Sequence, residues 1–245
     1  KTNPRAAAGM FAAEAKGLAW LAEAGTLRVP RVLGHGDDEG ARFLLLEMIE
    51  PGRKRRDHDE VLGRGLAALH RFGAPGFGLD HDNFIADLPQ KNRVAGETTW
   101  AGFYRTHRLQ PMLARAEAKG AMPVRLRARF DELFARLPAL VGSDEPPARL
   151  HGDLWGGNAI TDEAGTPVLI DPAVYGGHRE MDLAMMRLFG GFGPRVFAAY
   201  DEAHPLAEGW EERVPLYQLW PLLVHVVLFG GGYVGSVEGA LDRLL

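Results

Sequence analysis

The sequence contains no cysteine among its 245 residues. This absence excludes disulfide bonds, thiolate metal sites and cysteine nucleophiles, and it fits a protein of the reducing cytoplasm. A long apolar run is missing as well, because the longest one, residues 216–229, is interrupted by Gln218, Pro221 and His225. That run is too short to cross a bilayer, so we predict a buried helix and no membrane interaction. We also expect no signal or transit peptide.

An excess of positive charge is also lacking. The chain has 28 Lys and Arg against 32 Asp and Glu, a net charge of −4. This balance gives no electrostatic reason to expect binding to nucleic acid. The basic run at 53–56 is followed by acidic residues and is predicted to form a solvated turn. The share of apolar residues, 46%, is ordinary for a globular protein.

The apolar pattern predicts an α+β fold with two lobes. Residues 1–50 are expected to form a small lobe, and Pro51 and Gly52 mark its boundary with a larger, mainly helical lobe at 51–245. The predicted elements are a helix at 10–24, strands at 29–33 and 42–48 joined by a turn at 35–40, helices at 61–71, 99–119 and 124–140, a long loop at 77–93, and short strands at 158–161 and 167–170, with helices from 180 onward.

The segment His-Gly-Asp-Leu-Trp-Gly-Gly-Asn, residues 151–158, carries the strongest chemical signal. Phosphoryl transfer requires a carboxylate that orients the attacking hydroxyl, and oxygen ligands that hold Mg²⁺ against the triphosphate. A kinase catalytic loop supplies a base Asp and an Asn five positions later, as Asp153 and Asn158 are here. Asp171 follows the short apolar strand, where a kinase places its second metal ligand.

Taken alone, Asp153 or Asn158 is more simply a loop cap and Asp171 the start of a turn. All three at kinase spacing favour a kinase. We therefore predict Asp153 as the catalytic base and Asn158 and Asp171 as Mg²⁺ ligands. Gly152 stands in place of the Arg of the protein-kinase motif, and Pro172 follows Asp171 in place of Phe. Both departures resemble the aminoglycoside phosphotransferase and choline kinase branch of a protein-kinase-like fold.

The nucleotide side of a kinase is only partly present. A kinase pairs a strand Lys with a Glu of the next helix, which predicts a pair of Lys1 with Glu14. The alternative for Glu14 is a solvated helix carboxylate. The run 44–49 is predicted to lead into the hinge between the lobes, where Leu46 lies behind adenine and the backbones of Glu47 and Ile49 bind it. We expect the Gly-rich phosphate loop to precede Lys1.

Together, the motifs over almost the whole chain resemble the fructosamine kinase (ketosamine-3-kinase) family. The resemblance implies ATP-dependent phosphorylation of a sugar hydroxyl, C3 in the family, on a ketosamine that carries a free or protein-bound amine. The family's product is unstable and releases the amine, which amounts to deglycation. The matching segments are 1–3, 107–111, 151–158, 170–184, 188–192, 216–220 and 228–233.

Five residues are candidates for the acceptor site. Trp155 is expected to stack on a sugar face, with a core residue as the alternative. His178 and Glu180 follow Asp171 closely in sequence and are expected to bind sugar hydroxyls, although His178 is nearly as well explained as a structural histidine. His107 and Arg108 either line the acceptor pocket or lie on a solvated helix face.

For the loop at 80–85 and for Asp182 we predict a structural position and no role in the reaction. The loop at 80–85 lacks the spacing of a metal site, and we predict an ordered loop near the substrate. Asp182 opens a predicted helix and is interpreted as a structural carboxylate.

Two other functions stay open at this point. An aminoglycoside- or choline-type kinase would share the catalytic loop, but an aminoglycoside pocket needs an acidic lining for its ammonium groups. A nucleotide-binding pseudokinase scaffold is the second alternative, and the retained Asp153, Asn158 and Asp171 speak against it. The region 100–129 is instead rich in arginine: Arg105, Arg108, Arg115, Arg125, Arg127 and Arg129.

Overall fold

An antiparallel pair of strands and one helix form the first part of the molecule. Strand β1 (Val32–Asp38) pairs with β2 (Ala41–Leu46), and helix α1 (Met10–Ala22) packs against both. The first residues add to this sheet, since Lys1 and Leu44 exchange backbone hydrogen bonds. The structure, a computed structural model, describes residues 1–38, 41–93 and 99–245.

Strand β1 corrects one sequence prediction. The strand was expected at 29–33 with a turn at 35–40, but it runs through His35 to Asp38. Glycine at position 36 misled the prediction, because here it lies under an aromatic ring: a Cβ on Gly36 would come within 2.5 Å of the Phe43 side chain. Glu39 and Gly40 of the predicted turn lie outside the described residues.

The larger part of the chain is helical, as predicted. Helix α8 is apolar on nearly all sides and is therefore buried, with two prolines accommodated inside it. In the described part of the chain, no helix is both long and apolar enough to span a membrane. The helices are α2 (His58–Phe72), α3 (Trp100–Phe103), α4 (Gln110–Ala118), α5 (Arg125–Leu140), α6 (Glu180–Phe189), α7 (Pro194–Ala203), α8 (Trp210–Phe229) and α9 (Val234–Leu244).

A π-helical segment, Tyr104–Leu109, joins α3 to α4 within the predicted helix at 99–119. The wider turn of a π segment rotates the following side chains relative to a regular α-helix. Arg108 lies in this segment and is completely buried. Its guanidinium donates to the Lys91 carbonyl at 2.8 Å and lies 3.9 Å from the centre of the Tyr175 ring.

Short antiparallel pairs of strands frame the catalytic region. Strands β6 (Ala159–Thr161) and β7 (Pro167–Leu169) form the predicted hairpin, which is confirmed. Strand β5 (Ala148–Leu150) leads into residue 151 and pairs with β8 (Tyr175–Gly177). The predicted loop at 77–93 is wrong in part, because it contains the hairpin of β3 (Asn83–Ile85) and β4 (Leu88–Gln90). Strands of three residues are too short to show a period in sequence.

Among the described residues, three apolar clusters hold these elements together. The largest lies among α3, α4, α5, α8 and α9, and a second joins α2, α6 and α7 beneath the β6–β7 hairpin. The third is small and lies under the first sheet, around Phe11 and Leu44. Leu21 at the end of α1 belongs to the second cluster, so α1 contacts the helical part as well. The lobe boundary near residue 50 stays a prediction.

Candidate active site

The segment between β5 and β6 brings Asp153 and Asn158 into direct contact. The Asn158 side-chain amide donates to the Asp153 carbonyl at 2.8 Å and to its carboxylate at 3.1 Å. The same nitrogen lies 3.5 Å from the carbonyl oxygen of Asp171. Residues that are thirteen and eighteen positions from Asp171 in sequence therefore meet in space, because the β6–β7 hairpin returns the chain to its start.

His151 fastens this loop to the strand that precedes Asp171. Its Nε2–H donates to the Ile170 carbonyl at 2.9 Å, and its Nδ1 accepts from the Asp153 backbone N–H at 3.3 Å. Burial lowers the pKa of His151, so the ring is neutral, as one donor and one acceptor nitrogen require. The Ala173 N–H in turn donates to the His151 carbonyl at 2.9 Å.

Asp182 braces the loop from below. Its carboxylate accepts from the backbone N–H of His151 at 2.8 Å and of Gly152 at 2.9 Å, and it contacts His70 Nε2 at 3.2 Å. Burial opposes ionisation of Asp182, but the contact with His70 and the backbone donors lower its pKa below the usual value. This geometry agrees with the structural role that we predicted for Asp182.

Position 152 requires glycine for a steric reason. Its φ is +82°, a left-handed conformation that favours glycine. A Cβ there would lie 2.1 Å from the Ala173 carbonyl oxygen, so no side chain fits. The Arg of the protein-kinase motif is therefore excluded by the close approach of the segment after Asp171.

Asp153 is partly buried, and burial raises its pKa to about 7. The hydrogen bond from Asn158 works in the opposite direction, whereas the charges of Asp182 and Asp171 add to the increase. A carboxyl group with a pKa near neutrality is suited to accept a proton from a hydroxyl at physiological pH.

Lys1 and Glu14 form the expected ion pair, with 2.6 Å between Nζ and Oε1. The Lys1 ammonium also contacts the carboxylate of Asp171. Burial works against the charge of Lys1, but its hydrogen bonds to Asp171 and Glu14 raise its pKa above the ordinary value. The structure thus brings a cation from the first sheet, a carboxylate from α1 and a carboxylate after β7 together.

These groups share one cavity of about 310 Å³. The cavity is lined by Lys1 and Glu14, by Asn83 and Phe84 of β3, and by four residues of the catalytic segments: Asp153, Trp155, Asn158 and Asp171. The loop at 80–85 therefore borders the cavity through two of its residues.

The donor set of this cavity fits Mg²⁺. Asn158 and Asp171 offer amide and carboxylate oxygens, and Mg²⁺ in kinases uses one or two carboxylates together with the phosphates of the nucleotide. In the described part of the chain, no cluster of three or more His, Asp and Glu suited to a metal occurs. A site that holds its ion mainly through a nucleotide does not need such a cluster.

Comparisons with known proteins agree with this geometry. The family model described as fructosamine kinase matches residues 1–245. The chain belongs to the fructosamine kinase family. A Thermus thermophilus protein assigned as a ketoamine kinase is 43% identical over 96% of this chain and 82% of its own length. The chloroplastic protein-ribulosamine 3-kinase of Oryza sativa subsp. indica is 35% identical over 100% of this chain and 71% of its own.

Solved structures show the same family and its wider fold. A Thermobifida fusca protein assigned as a fructosamine-3-kinase superimposes with a TM-score of 0.89 at 42% identity, covering 97% of this chain and 81% of that one. The choline kinase LicA of Streptococcus pneumoniae has a TM-score of 0.64 at 16% identity, covering 96% and 80%. At that identity the likeness shows the fold alone, which is protein-kinase-like, as predicted.

Trp155 is the substrate candidate that borders the cavity in this fructosamine kinase. The indole folds back over its own loop, since a Cβ on Gly157 would lie 2.2 Å from the ring. Its side chain is nevertheless 41% exposed and forms part of the cavity wall. A ring that is fixed on one face and open on the other is suited to stack against a sugar.

The other four substrate candidates lie elsewhere. Arg108 is buried against Tyr175, and Glu180 is buried in a bidentate ion pair with Arg213 at 2.6 and 2.9 Å. His178 is buried and stacks on Tyr217 at 5.2 Å, and His107 stacks on Phe103 at 5.0 Å. The described walls of the cavity include none of the four. We therefore interpret Arg108, His178 and Glu180 as structural and leave all four out of the proposed acceptor site.

The structure adds residues that the sequence did not indicate. A second, water-sized hollow lies behind Asp153 and is lined by Ile85, Met185, Trp220 and His225. His225 Nδ1 donates to the Pro221 carbonyl at 2.8 Å, which leaves Nε2 as an acceptor. In sequence His225 appears only as an interruption of an apolar helix, and that interruption was the available signal.

The predicted hinge follows β2 as expected. Leu46 is the last residue of β2, and the Glu47 backbone N–H donates to the Arg31 carbonyl at 2.8 Å. The Glu47 side chain bonds to Arg28 at 2.7 Å. The adenine contacts expected of Leu46, Glu47 and Ile49 stay predictions, because these residues do not belong to the described walls of the cavity.

Proposed function

We propose that this chain is an ATP-dependent ketosamine kinase that transfers the γ-phosphoryl group to a sugar hydroxyl. The observation that carries the proposal is the convergence of Asp153, Asn158 and Asp171 on one cavity that the Lys1–Glu14 pair also lines. Each group has the chemical type that its role in phosphoryl transfer demands. Membership in the fructosamine kinase family supports the ketosamine as acceptor.

Asp153 acts as the base in this proposal. Its carboxylate orients the acceptor hydroxyl and takes its proton while the hydroxyl oxygen bonds to the γ-phosphorus and the bond to the β-phosphate oxygen breaks. The products are the sugar phosphate and ADP, and Asp153 holds the proton. Asn158 keeps the carboxylate in place through its 3.1 Å hydrogen bond.

Asn158 and Asp171 would hold the magnesium ion. It would supply positive charge that neutralises the phosphates of the nucleotide. Asp171 is 43% exposed in its side chain, so its oxygens are accessible from the cavity. Lys1, oriented by Glu14, binds the α- and β-phosphates in the manner of the strand Lys of kinases.

The acceptor side is formed by Trp155. We propose that the sugar stacks on Trp155, with its reacting hydroxyl at Asp153. The amine of the ketosamine is either free or a protein lysine. We place the reaction in the cytoplasm, where ATP is available. A chain without cysteine forms no disulfide bond and so does not depend on an oxidising compartment.

The test is ADP release with fructose-lysine and ribulose-lysine, free and on a glycated protein, with choline and an aminoglycoside as competing acceptors. We expect turnover of the ketosamines, and a loss of about 10³-fold in kcat for Asp153→Asn, as removal of a base produces. Asp144→Asn, the same change at an exposed carboxylate, should leave kcat unaltered. Turnover of choline or the aminoglycoside alone would contradict the proposal, and ATP binding with no turnover would favour a pseudokinase.

A further inference from the structure

The guanidinium of Arg28 joins the predicted adenine hinge to the β6–β7 hairpin, which is the catalytic hairpin. Arg28 Nη2 donates to Glu47 Oε1 at 2.7 Å, and its Nη1 donates to Asp162 Oδ2 at 2.6 Å. Glu47 follows β2, whereas Asp162 lies at the turn between β6 and β7. The two carboxylates come from the two lobes that we predict, and Arg28 lies between them.

The backbone of Arg28 is fixed on the same hairpin. Its carbonyl accepts from the Leu169 N–H at 2.9 Å, and it forms a parallel bridge with Val168. Strand β7, to which both residues belong, leads two residues later to Asp171. Arg28 is therefore anchored to the strand that supports a proposed metal ligand, and its side chain extends from there to the hinge.

Both carboxylates are held in place by further donors. Asp162 is 3% exposed and accepts from the Thr166 N–H and hydroxyl, each at 2.9 Å. The second oxygen of Glu47 accepts from the Arg31 backbone N–H at 3.1 Å. These bonds leave each carboxylate with one orientation, and an Arg fork that meets two fixed oxygens has little freedom of its own.

The far end of the hinge is tied to the same turn. The Gly52 N–H donates to the Thr161 carbonyl at 3.0 Å, and Pro51 forms an antiparallel β-bridge with Asp162. A Cβ on Gly52 would lie 2.0 Å from the Asp162 carbonyl oxygen, so the two backbones are in close contact. Residues 47–52 thus span between two attachments, and Arg28 provides the one on the adenine side.

We propose that Arg28 is a positioning residue for ATP, which acts by fixing the Glu47 backbone against the catalytic hairpin. The inference rests on the proposed function, since it assumes that the hinge binds adenine. A backbone carbonyl and a backbone N–H distinguish adenine from guanine only while they keep their places, because guanine presents the opposite donors and acceptors on that edge. Arg28 therefore determines both the affinity for ATP and the preference over GTP.

The experiment compares Arg28→Met with Arg31→Met. Arg31 lies beside the same Glu47 carboxylate, with 3.6 Å between Nε and Oε2, but its side chain is 77% exposed. We expect Arg28→Met to raise KM for ATP about tenfold and to lower the ATP/GTP ratio of kcat/KM by a similar factor, as the loss of a charged hydrogen bond implies. KM for the ketosamine should stay within about twofold, and Arg31→Met should resemble the wild type.

Arg28→Lys should restore only part of the effect, since one ammonium does not span two carboxylates as a guanidinium fork does. Glu47→Gln keeps the acceptor for Arg31 and loses the charge, so it should shift KM for ATP in the same direction. It also provides the test if Arg28→Met does not fold. An unchanged KM for ATP and an unchanged ATP/GTP ratio in a folded variant would overturn the inference. So would an equal loss for all substrates, which indicates a general loss of structure.

Calorimetric titration with ATP and GTP keeps this inference separate from the proposed function. If the wild type binds ATP but phosphorylates no ketosamine, the proposed function fails, while the same variants still report on Arg28 through their affinities. If the wild type turns over ketosamines and Arg28→Met binds ATP as tightly as the wild type, the inference alone fails.

Discussion

The Asn158 side-chain amide donates to both the backbone carbonyl and the carboxylate of Asp153, at 2.8 and 3.1 Å. A predicted metal ligand therefore orients the predicted base. Because the amide nitrogen is directed towards Asp153, the amide oxygen is directed away from it. One side chain thus couples two tasks of phosphoryl transfer, and substitutions can separate them.

Asn158→Asp should separate the two tasks, because it keeps an oxygen ligand but places a carboxylate beside Asp153. We expect kcat/KM to fall about 10²-fold, since a repulsive contact replaces a charge-assisted hydrogen bond. Asn158→Ala removes the ligand too and should require more Mg²⁺ for half-maximal rate. Steady-state rates over a range of Mg²⁺ concentrations measure both effects. Equal Mg²⁺ requirements in the two variants would argue against Asn158 as a ligand.

Glu14→Gln should weaken ATP binding by releasing Lys1 from its 2.6 Å ion pair. We expect KM for ATP to rise about tenfold with a smaller effect on the acceptor, because a hydrogen bond between charged groups is lost. Glu23→Gln is the matched control, since this carboxylate follows α1 and pairs with Arg149. An equal rise in both variants would mean that α1 as a whole, and not Glu14, is responsible.

Gly156→Ala should disturb the catalytic loop at its contact with the end of α6. A Cβ there would lie 2.9 Å from Gly191 Cα, and the Gly156 N–H donates to the Gly190 carbonyl at 3.2 Å. We expect kcat to fall about ten- to a hundredfold, because small displacements of catalytic groups greatly slow the chemical step. Gly232→Ala is the control, because a Cβ at this position has no described atom within 4 Å. It should change neither kcat nor the melting temperature. Unaltered kcat in Gly156→Ala would show that the loop adapts.

His178 should make the fold sensitive to acid. Burial lowers its pKa from 6.5 to about 4, against the opposing charge of Glu145. The unfolded chain takes up a proton near pH 6.5 and the folded chain does not, so stability is complete above that pH and falls as the pH decreases towards about 4. The loss by pH 5 is about 2 kcal/mol.

Denaturant unfolding at pH 7 and pH 5 measures this loss. His178→Gln should lose less stability between the two pH values than the wild type does, because glutamine takes up no proton. His35→Gln, at an exposed position of β1, is the control and should follow the wild type. Identical pH dependence in His178→Gln and the wild type would show that other buried groups dominate.

The catalytic segment was predictable because its signals are local. The spacing of Asp153 to Asn158 is set by one loop, and the β6–β7 hairpin requires only a turn to bring Asp171 back. The pairing of Lys1 with Glu14 was also predicted, since a kinase fold fixes the partners of that strand and helix. In each case the chemistry demands particular residue types at a spacing that the sequence displays directly.

The positions of the acceptor candidates did not follow from the sequence, because closeness in sequence to Asp171 does not imply closeness in space. Glu180 forms an ion pair with Arg213, which lies 33 positions away in sequence, and the His178 ring stacks on Tyr217. Arg108 is turned inward by the π-helical segment, whose presence no periodicity reveals. His225, by contrast, lines the hollow behind Asp153 because α8 passes behind the catalytic loop.

Asp171 has a left-handed backbone, with φ of +55°, although it is not a glycine. A side chain in this conformation costs about 1 kcal/mol or more relative to glycine. The protein therefore carries a small, permanent tension at the very residue that is proposed to hold the ion. Asp171→Gly loses the contact with Lys1 but also removes this strain, so the variant should no longer phosphorylate and yet keep a melting temperature close to that of its parent. Selection for heat resistance alone would therefore not preserve this position.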